Sequence, residues 1–514
     1  MAPFARSRRL PRLSRLYLAA ALGLTAVMPA KAADIAPRDV ALLDRLTWGV
    51  TASSVAHFES LGAERWFQEQ LHPPAGEDLP DAARTQIEAL TDMHRPLVEI
   101  ASAFDTQGRT ANQIPDAELK KAAQQAFQQG MNDRGRQAQA RSILRALYAT
   151  SQLRERMTWF WFNHFNVHQY KANLRVMVTD YEDTLRAHAL GRFRDLLNAT
   201  LQHPAMLRYL DNADNAVGHI NENYAREIME LHTMGVGSGY TQADVEALAK
   251  ILTGVGIDLN PGQPRLKREW QPLLMRHGAF EFNPARHDFS DKVLLGHTIK
   301  GSGFAEVEEA LDLIVRNPAT ARHVSQKIAL YFAGDNPPRA LVDRMAQTFQ
   351  STDGDIAAVL STMVHAPEFI ATLRPCTRFK DPAQYVYSAV RLAYDRKVIL
   401  NTGPIQNWLN RLSEGLFNHA TPDGYALNAA AWNGPGQMML RFEIARQIGS
   451  GSAGLFKPDG PNAVEQPAFP LLQNALYFSS LRQTLSPSTL AALDKAVSPQ
   501  DWNTLFLSSP EFMR

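Results

Sequence analysis

Paired carboxylates stand one helical turn apart at Glu227 and Glu230, with Arg226 beside them and His232 just beyond. At about 100° per residue, Asn223, Glu227 and Glu230 share one helical face, and Tyr224, Ala225, Ile228, Met229 and Leu231 form the opposite one. His232 falls within that apolar face. Two carboxyl groups this close push their pKa values apart, which suits general acid–base chemistry or a divalent cation. Arg226 can equally neutralise them as a structural network. His164 and His168 lie at i,i+4, the spacing that places two imidazoles on one helical face. A zinc site built on them needs at least a third ligand. His287 and Asp288, with Lys292 after them, are adjacent in a loop, where such pairs either orient each other for chemistry or cap a turn.

These residues sit in the most polar part of the chain, from Glu155 to Gly254. It contains the aromatic run Trp159–Phe165 with Asn163 inside it, then Tyr209 to Asn212 with Asp211, the block Asn221–His232, and Tyr240 to Asp244. A buried polar group left unpaired costs about 1–3 kcal/mol. Such a cluster inside helices that otherwise look like core either satisfies itself or serves a ligand. The candidate catalytic groups are therefore Glu227, Glu230, His164 and His287. The candidate ligand-binding groups are Asn163, Asp211, Asn223, Arg226, Tyr240, Asp244 and Asp288. Three functions fit them: a polar pocket for an envelope or extracellular ligand such as a glycan, a hydrolase with paired carboxylates and a histidine partner, or a non-catalytic partner of another exported protein. No H-E-x-x-H, cysteine pair, Glu-x-x-His pair of the di-iron helical-bundle kind or G-x-S-x-G elbow is present. Gly235–Gly239 is glycine-rich, but it follows a helix and reads as a C-cap and turn, not a phosphate loop.

The elements that must position these residues are helices. Val40-Leu43-Leu46, Ile143-Leu147 and Val307-Leu311-Ile314 repeat at helical spacing. Asn317-Pro318, Ala366-Pro367, His203-Pro204 and Ser509-Pro510 each follow an apolar helical stretch. Proline tolerates the first turn of a helix, so these points should end one helix and start another. Strand-like alternation is confined to Ala279–Phe282 and Lys292–Leu295, expected to pair as a small hairpin. Loops are expected at Pro73–Pro80, Asp105–Pro115, Asn260–Gly303 and Gly449–Pro467. The predicted fold is mainly α, a large multi-helix bundle-like array with one small β-hairpin insertion. It divides into a helical region over 33–255, the insertion over 256–303, and a second helical region over 304–514 that can share one core with the first.

The chain opens as an export signal. Arg6, Arg8, Arg9, Arg12 and Arg15 precede an apolar run from Leu16 to Met28, and Ala30-Lys31-Ala32 forms an A-x-A site. That run is too short for a membrane span, which needs about 20 residues. Cleavage is expected near Ala32/Ala33, giving a periplasmic or secreted protein. Ser7-Arg8-Arg9 hints at twin-arginine export, although Pro11 and Arg12 interrupt its apolar part. The whole chain has 53 basic and 52 acidic residues; residues 1–32 hold six basic and no acidic ones, so 47 face 52 afterwards, a net charge of −5. A mildly acidic protein has no general pull toward nucleic acid or anionic membrane. Nor does the mature part hold an apolar run long enough for a transmembrane helix. Cys376 is the single cysteine, which excludes an intramolecular disulfide.

Strings along nearly the whole mature chain resemble the bacterial domain of unknown function 1800 family. They run from Leu42–Arg45 and Thr47-Trp48-Gly49, through the Asn221–Asp244 block, to Ser509–Phe512. The resemblance implies an exported, largely helical protein, often encoded beside a second exported protein of alkaline-phosphatase-like type. It brings no catalytic residues with it. Two positions depart from the family pattern. Phe162 stands where a histidine is frequent, which puts a double-histidine site there in doubt, and Asp423-Gly424-Tyr425 with Trp432 replaces a late Gly-Trp element.

Overall fold

The computed structural model describes residues 35–514 apart from 75, 77, 93, 260–261, 263, 375–376, 459–462 and 467. The export signal and Cys376 lie outside the described residues. Helices dominate, with two small antiparallel sheets between residues 255 and 299. Among the described residues no helix is long and apolar enough to cross a membrane.

Helix Gln152–His164 explains the architecture best. Every one of its residues is buried, so it has no solvent face and other elements must cover it all round. Buried apolar side chains from Ile35 to Met513 form one continuous core. Helix Pro318–Ala333 begins as its sequence dictates: Asn317 accepts a hydrogen bond from the Ala319 N–H, and Pro318 fills the first turn. His203 caps Pro204–Tyr209 through the Ala205 N–H, and Pro367 opens the short helix Pro367–Ile370.

Three local expectations change. Ser509-Pro510 opens a single turn and no full helix: the last helix ends at Leu507, and Ser509 accepts from the Phe512 N–H through Oγ and from the Met513 N–H through its carbonyl. The loop expected over 105–115 is mostly helix, Leu97–Gln113. Its Gly108 packs against the Phe127 ring of helix Ala117–Tyr148, where a Cβ would sit 3.1 Å from the ring. That contact explains a glycine inside a helix. The third change concerns the strands. β1 (Val255–Ile257), β2 (Met275–His277) and β3 (Phe280–Phe282) form a sheet in the order β1-β3-β2, with Val255 and Met275 both opposite Phe282. β4 (Lys292–Leu294) instead pairs with β5 (His297–Ile299). Phe280–Phe282 and Lys292–Leu294 therefore belong to different sheets. The Leu295-Gly296 turn, with φ of +50° and +80°, is the two-residue type that closes a hairpin, so β4 is taken by its nearest neighbour.

Candidate functional site

The Asn221 block breaks its α-helical register where the polar residues are densest. It runs as α-helix over Asn223–Glu227 and as π-helix over Ile228–His232. The Met234 and Gly235 N–H groups both reach back to the Met229 carbonyl. The wider turn leaves the Leu231 and His232 carbonyls for side chains. His323 Nε2 donates to the Leu231 oxygen at 3.2 Å, and His164 Nε2 donates to the His232 oxygen at 2.9 Å. Such π-turns often mark functional sites.

Donating from Nε2 leaves Nδ1 of His164 and His323 as lone-pair acceptors. His164 Nδ1 and both ring nitrogens of His232 are buried with no hydrogen-bond partner among the described residues. The His164 ring centroid is 6.0 Å from that of His232 and 6.3 Å from that of His323. All three imidazoles are held neutral. Burial and then Lys327 push His232 down to about 3 and His323 to about 4, and the same causes hold His164 well below its usual range. Among the described residues no group of three or more histidine, cysteine, aspartate or glutamate side chains is arranged to hold a metal ion.

Lys327 lies one turn after His323 on the same face of its helix. It makes no hydrogen bond or ion pair among the described residues. The half-buried spot it occupies, the Lys327 recess, keeps some solvent contact. Burial lowers its pKa to about 8, against the opposing charge of Asp423.

Asp423 arrives on the segment 415–425, strapped across the end of helix Gln152–His164. Asn163 donates to the Tyr425 carbonyl at 2.9 Å and accepts from the Tyr425 N–H at 2.6 Å. Asn166 donates to the His419 and Thr421 carbonyls. Gly424, at φ +74°, passes so close that a Cβ there would lie 2.0 Å from the Asn163 oxygen. Tyr209 donates to the Ala420 carbonyl at 2.8 Å, and burial with the charges of Asp423 and Glu227 raises its pKa to about 12. Glu227 is half-buried; burial, then Glu230 and Asp423, raise its pKa, and Arg226 opposes them. Burial and then the neighbouring Glu230 raise the pKa of Tyr240 to about 12.

Thus His164, Glu227 and Glu230 come to one region, with Arg226 and Tyr240 at its rim. Arg226 pairs with Glu222 at 3.0 Å and Glu230 at 3.6 Å, and is neither buried nor devoted to Glu227. Asn163 serves as the clamp on the strap. Asn223 holds the Leu210 carbonyl at 3.1 Å, and so does not share the glutamates' role. Asp211 pairs with Lys171 at 2.7 Å and lines a separate cleft of about 470 Å³. His168 lies beyond the helix end and meets Asn418.

His287, Asp288 and Asp244 belong to another cluster. His287 Nε2 meets Glu306 Oε1 at 2.8 Å, and Lys292 Nζ meets Glu306 Oε2 at 2.6 Å, all essentially without solvent contact. Burial opposes the ionised form of Glu306, but the bonds from His287 and Lys292 prevail and hold its carboxyl below the usual range. The Ser302 and Gly303 N–H groups also bond Glu306, capping helix Phe304–Arg316. Asp244 caps helix Gln242–Ile251 and accepts from the Leu295 N–H, and Asp288 turns the chain onto Ser290. This cluster satisfies itself and anchors the β-strands. Lys327, His323 and Asp423 are absent from the sequence-derived set. For His323 and Lys327 the signal was a histidine and a lysine one turn apart on one helix.

The family model described as "Protein of unknown function (DUF1800)" matches residues 41–514. The chain belongs to the DUF1800 family. No curated protein and no solved structure matches it. The DUF1800 match spans every element that builds the Lys327 recess, from helix Gln152–His164 to the strap.

Proposed function

We propose that this is an exported protein whose Lys327 recess binds a polar envelope or extracellular ligand of the glycan class. The observation that carries this reading is the half-buried Lys327 amine, which has no hydrogen bond or ion pair among the described residues. An ammonium taken partly out of water needs replacement hydrogen bonds. A polyhydroxylated ligand offers acceptors to Lys327 and donors to Glu227, Glu230 and Asp423 together. Hydrogen bonds to charged groups contribute about 1.5–3 kcal/mol each, so Lys327→Met should weaken binding about 10- to 100-fold. Calorimetry on a panel of envelope oligosaccharides tests this. Equal affinity of the wild type and Lys327→Met for every binder would remove the recess from the reading.

A second reading, a hydrolase, has its own support. Glu227 has a raised pKa beside Glu230 and Asp423, as a proton donor requires. On this reading Glu227→Gln abolishes turnover of a hydrolysable glycan or ester while circular dichroism and melting stay native-like. Retained turnover in that variant would exclude Glu227 as the acid.

A further inference from the structure

A cleft of about 890 Å³ opens at the far end of helix Pro318–Ala333 from His323, beside helix Pro435–Gly449 and the last turn of the chain. Its walls are mostly apolar, with Phe379, Met438, Phe442 and Met513 among them. Arg374 and Arg378 share the lining. Arg374 is exposed and joins no ion pair among the described residues. Arg514, at the terminus, also lines the cleft with its own carboxylate, and adds no net charge. Asp335 is the single acidic side chain among the described lining residues, and its oxygens already accept the Ala429 N–H at 3.0 and 3.1 Å.

Behind this wall positive charge outnumbers negative. Arg45 is buried and donates to the Ala333 carbonyl at 3.2 Å and to Thr377 Oγ1 at 2.9 Å, both lining residues. Arg156 and Arg378 lie over one Tyr331 ring, 4.4 and 5.8 Å from its centre. Arg441 lies 4.7 Å from the centre of the Phe379 ring. Arg45, Arg156 and Arg441 are all buried and join no ion pair among the described residues, and no nitrogen of the Arg156 guanidinium has a hydrogen-bond partner there. Of this group only Arg378 and the buried Lys380 meet a carboxylate, at 3.8 Å from Asp381 and 3.1 Å from Asp44. Burial and then Asp381 push the carboxyl of buried Glu414 well above the usual range, so it contributes little negative charge. Buried charge without a counter-ion is costly, and its field reaches into a neighbouring cleft.

We propose that this cleft binds an amphiphilic oxyanion, an aliphatic chain ending in a carboxylate or a phosphate. Arg374 and Arg378 take the headgroup, since a guanidinium matches the geometry of both oxyanions. The chain lies on Phe379, Phe442 and the two methionines, whose unbranched side chains adapt to an irregular surface. The site is independent of Lys327.

Calorimetry on the full chain, below micelle-forming concentrations, tests this. Dodecanoate and dodecyl phosphate carry the chain with each headgroup, dodecyl maltoside the chain without charge, and inorganic phosphate the charge without the chain. At least one dodecyl anion should bind as a single molecule per protein, about 10-fold or more tighter than either control. The tighter of the two anions names the headgroup. Arg374→Gln and Phe442→Ser, both at exposed positions, should each weaken that binding by about 10-fold, while Lys327→Met should leave it unchanged. No binding of either anion, a control binding as tightly as both, several equal anion sites per protein, or affinity unmoved by both variants overturns the inference. So does loss of binding in Lys327→Met, which would place the ligand elsewhere.

Discussion

Lys327 carries an energetic cost that a variant can expose. In the unfolded chain its pKa is near 10.5, whereas the fold holds it at about 8. The folded state binds its proton more weakly, so the penalty is complete below pH 8 and is relieved as pH rises toward 10.5. With allowance for its remaining solvent contact, that penalty is about 1–3 kcal/mol. Lys327→Met should therefore melt higher than wild type at pH 7, and the advantage should shrink through pH 8–10.5. Glu306 predicts the opposite behaviour. Its folded pKa is lowered, so its contribution is present above pH 4.5 and is lost as pH falls through the folded value. Glu306→Ala leaves His287 and Lys292 buried without their acceptor, which should cost about 3–5 kcal/mol at pH 7. Denaturant unfolding of wild type and variant from pH 7 to pH 3 should show the gap closing.

The decisive element is the strap over 415–425, because it sets Asp423 where its charge acts on Lys327. Asn163 holds it without lining the recess. Asn163→Ala unpairs the Tyr425 N–H and carbonyl, costing about 1–3 kcal/mol. It should also weaken any ligand that needs Asp423. Gly424→Ala should do both more severely, since its Cβ meets backbone, which cannot swing aside, at a left-handed φ of +74°. Melting temperature and ligand affinity should fall together in both variants, whereas Lys327→Met should lower affinity while raising the melting temperature. The π-turn matters in the same way. Gly235, at φ +87°, lets the chain pass the His323 ring, where a Cβ would lie 2.8 Å from Nδ1.

For the molecule as a whole, stability rests on one apolar core and not on covalent links. With a single cysteine in the sequence, thermal unfolding of the monomer should be unchanged by reductant. The export proposal predicts that the mature protein begins at Ala33. Intact mass and N-terminal sequencing of the protein recovered outside the cytoplasm test it, and a retained Met1 there would overturn it. The core also shows why stability and function compete here. Its centre, helix Gln152–His164, ends in His164 and feeds directly into the recess, so the unpaired polar atoms of the site sit against the best-packed part of the fold.

The helical class, the family and several helix starts were determined by the sequence, because they depend on local periodicity, capping residues and long shared strings. Asn317-Pro318 starts a helix by its own chemistry. Local signals placed a cap at Ser509-Pro510 that holds only one turn, and paired Phe280–Phe282 with Lys292–Leu294, because competition between neighbouring strands is not a local property. Of the polar cluster, Glu227, Glu230 and His164 were legible as chemistry-bearing types near one another in the chain. Tertiary structure decided which of them share a site. It sent His287 and Asp288 to a self-satisfied anchor with Glu306, and Asp211 to another cleft. It brought His323, Lys327 and Asp423 to the π-turn from up to about 200 residues away in sequence. It also decided the electrostatics, since a pKa is set by burial and by neighbours in space. Lys327 reads as an ordinary solvated lysine until the fold surrounds it.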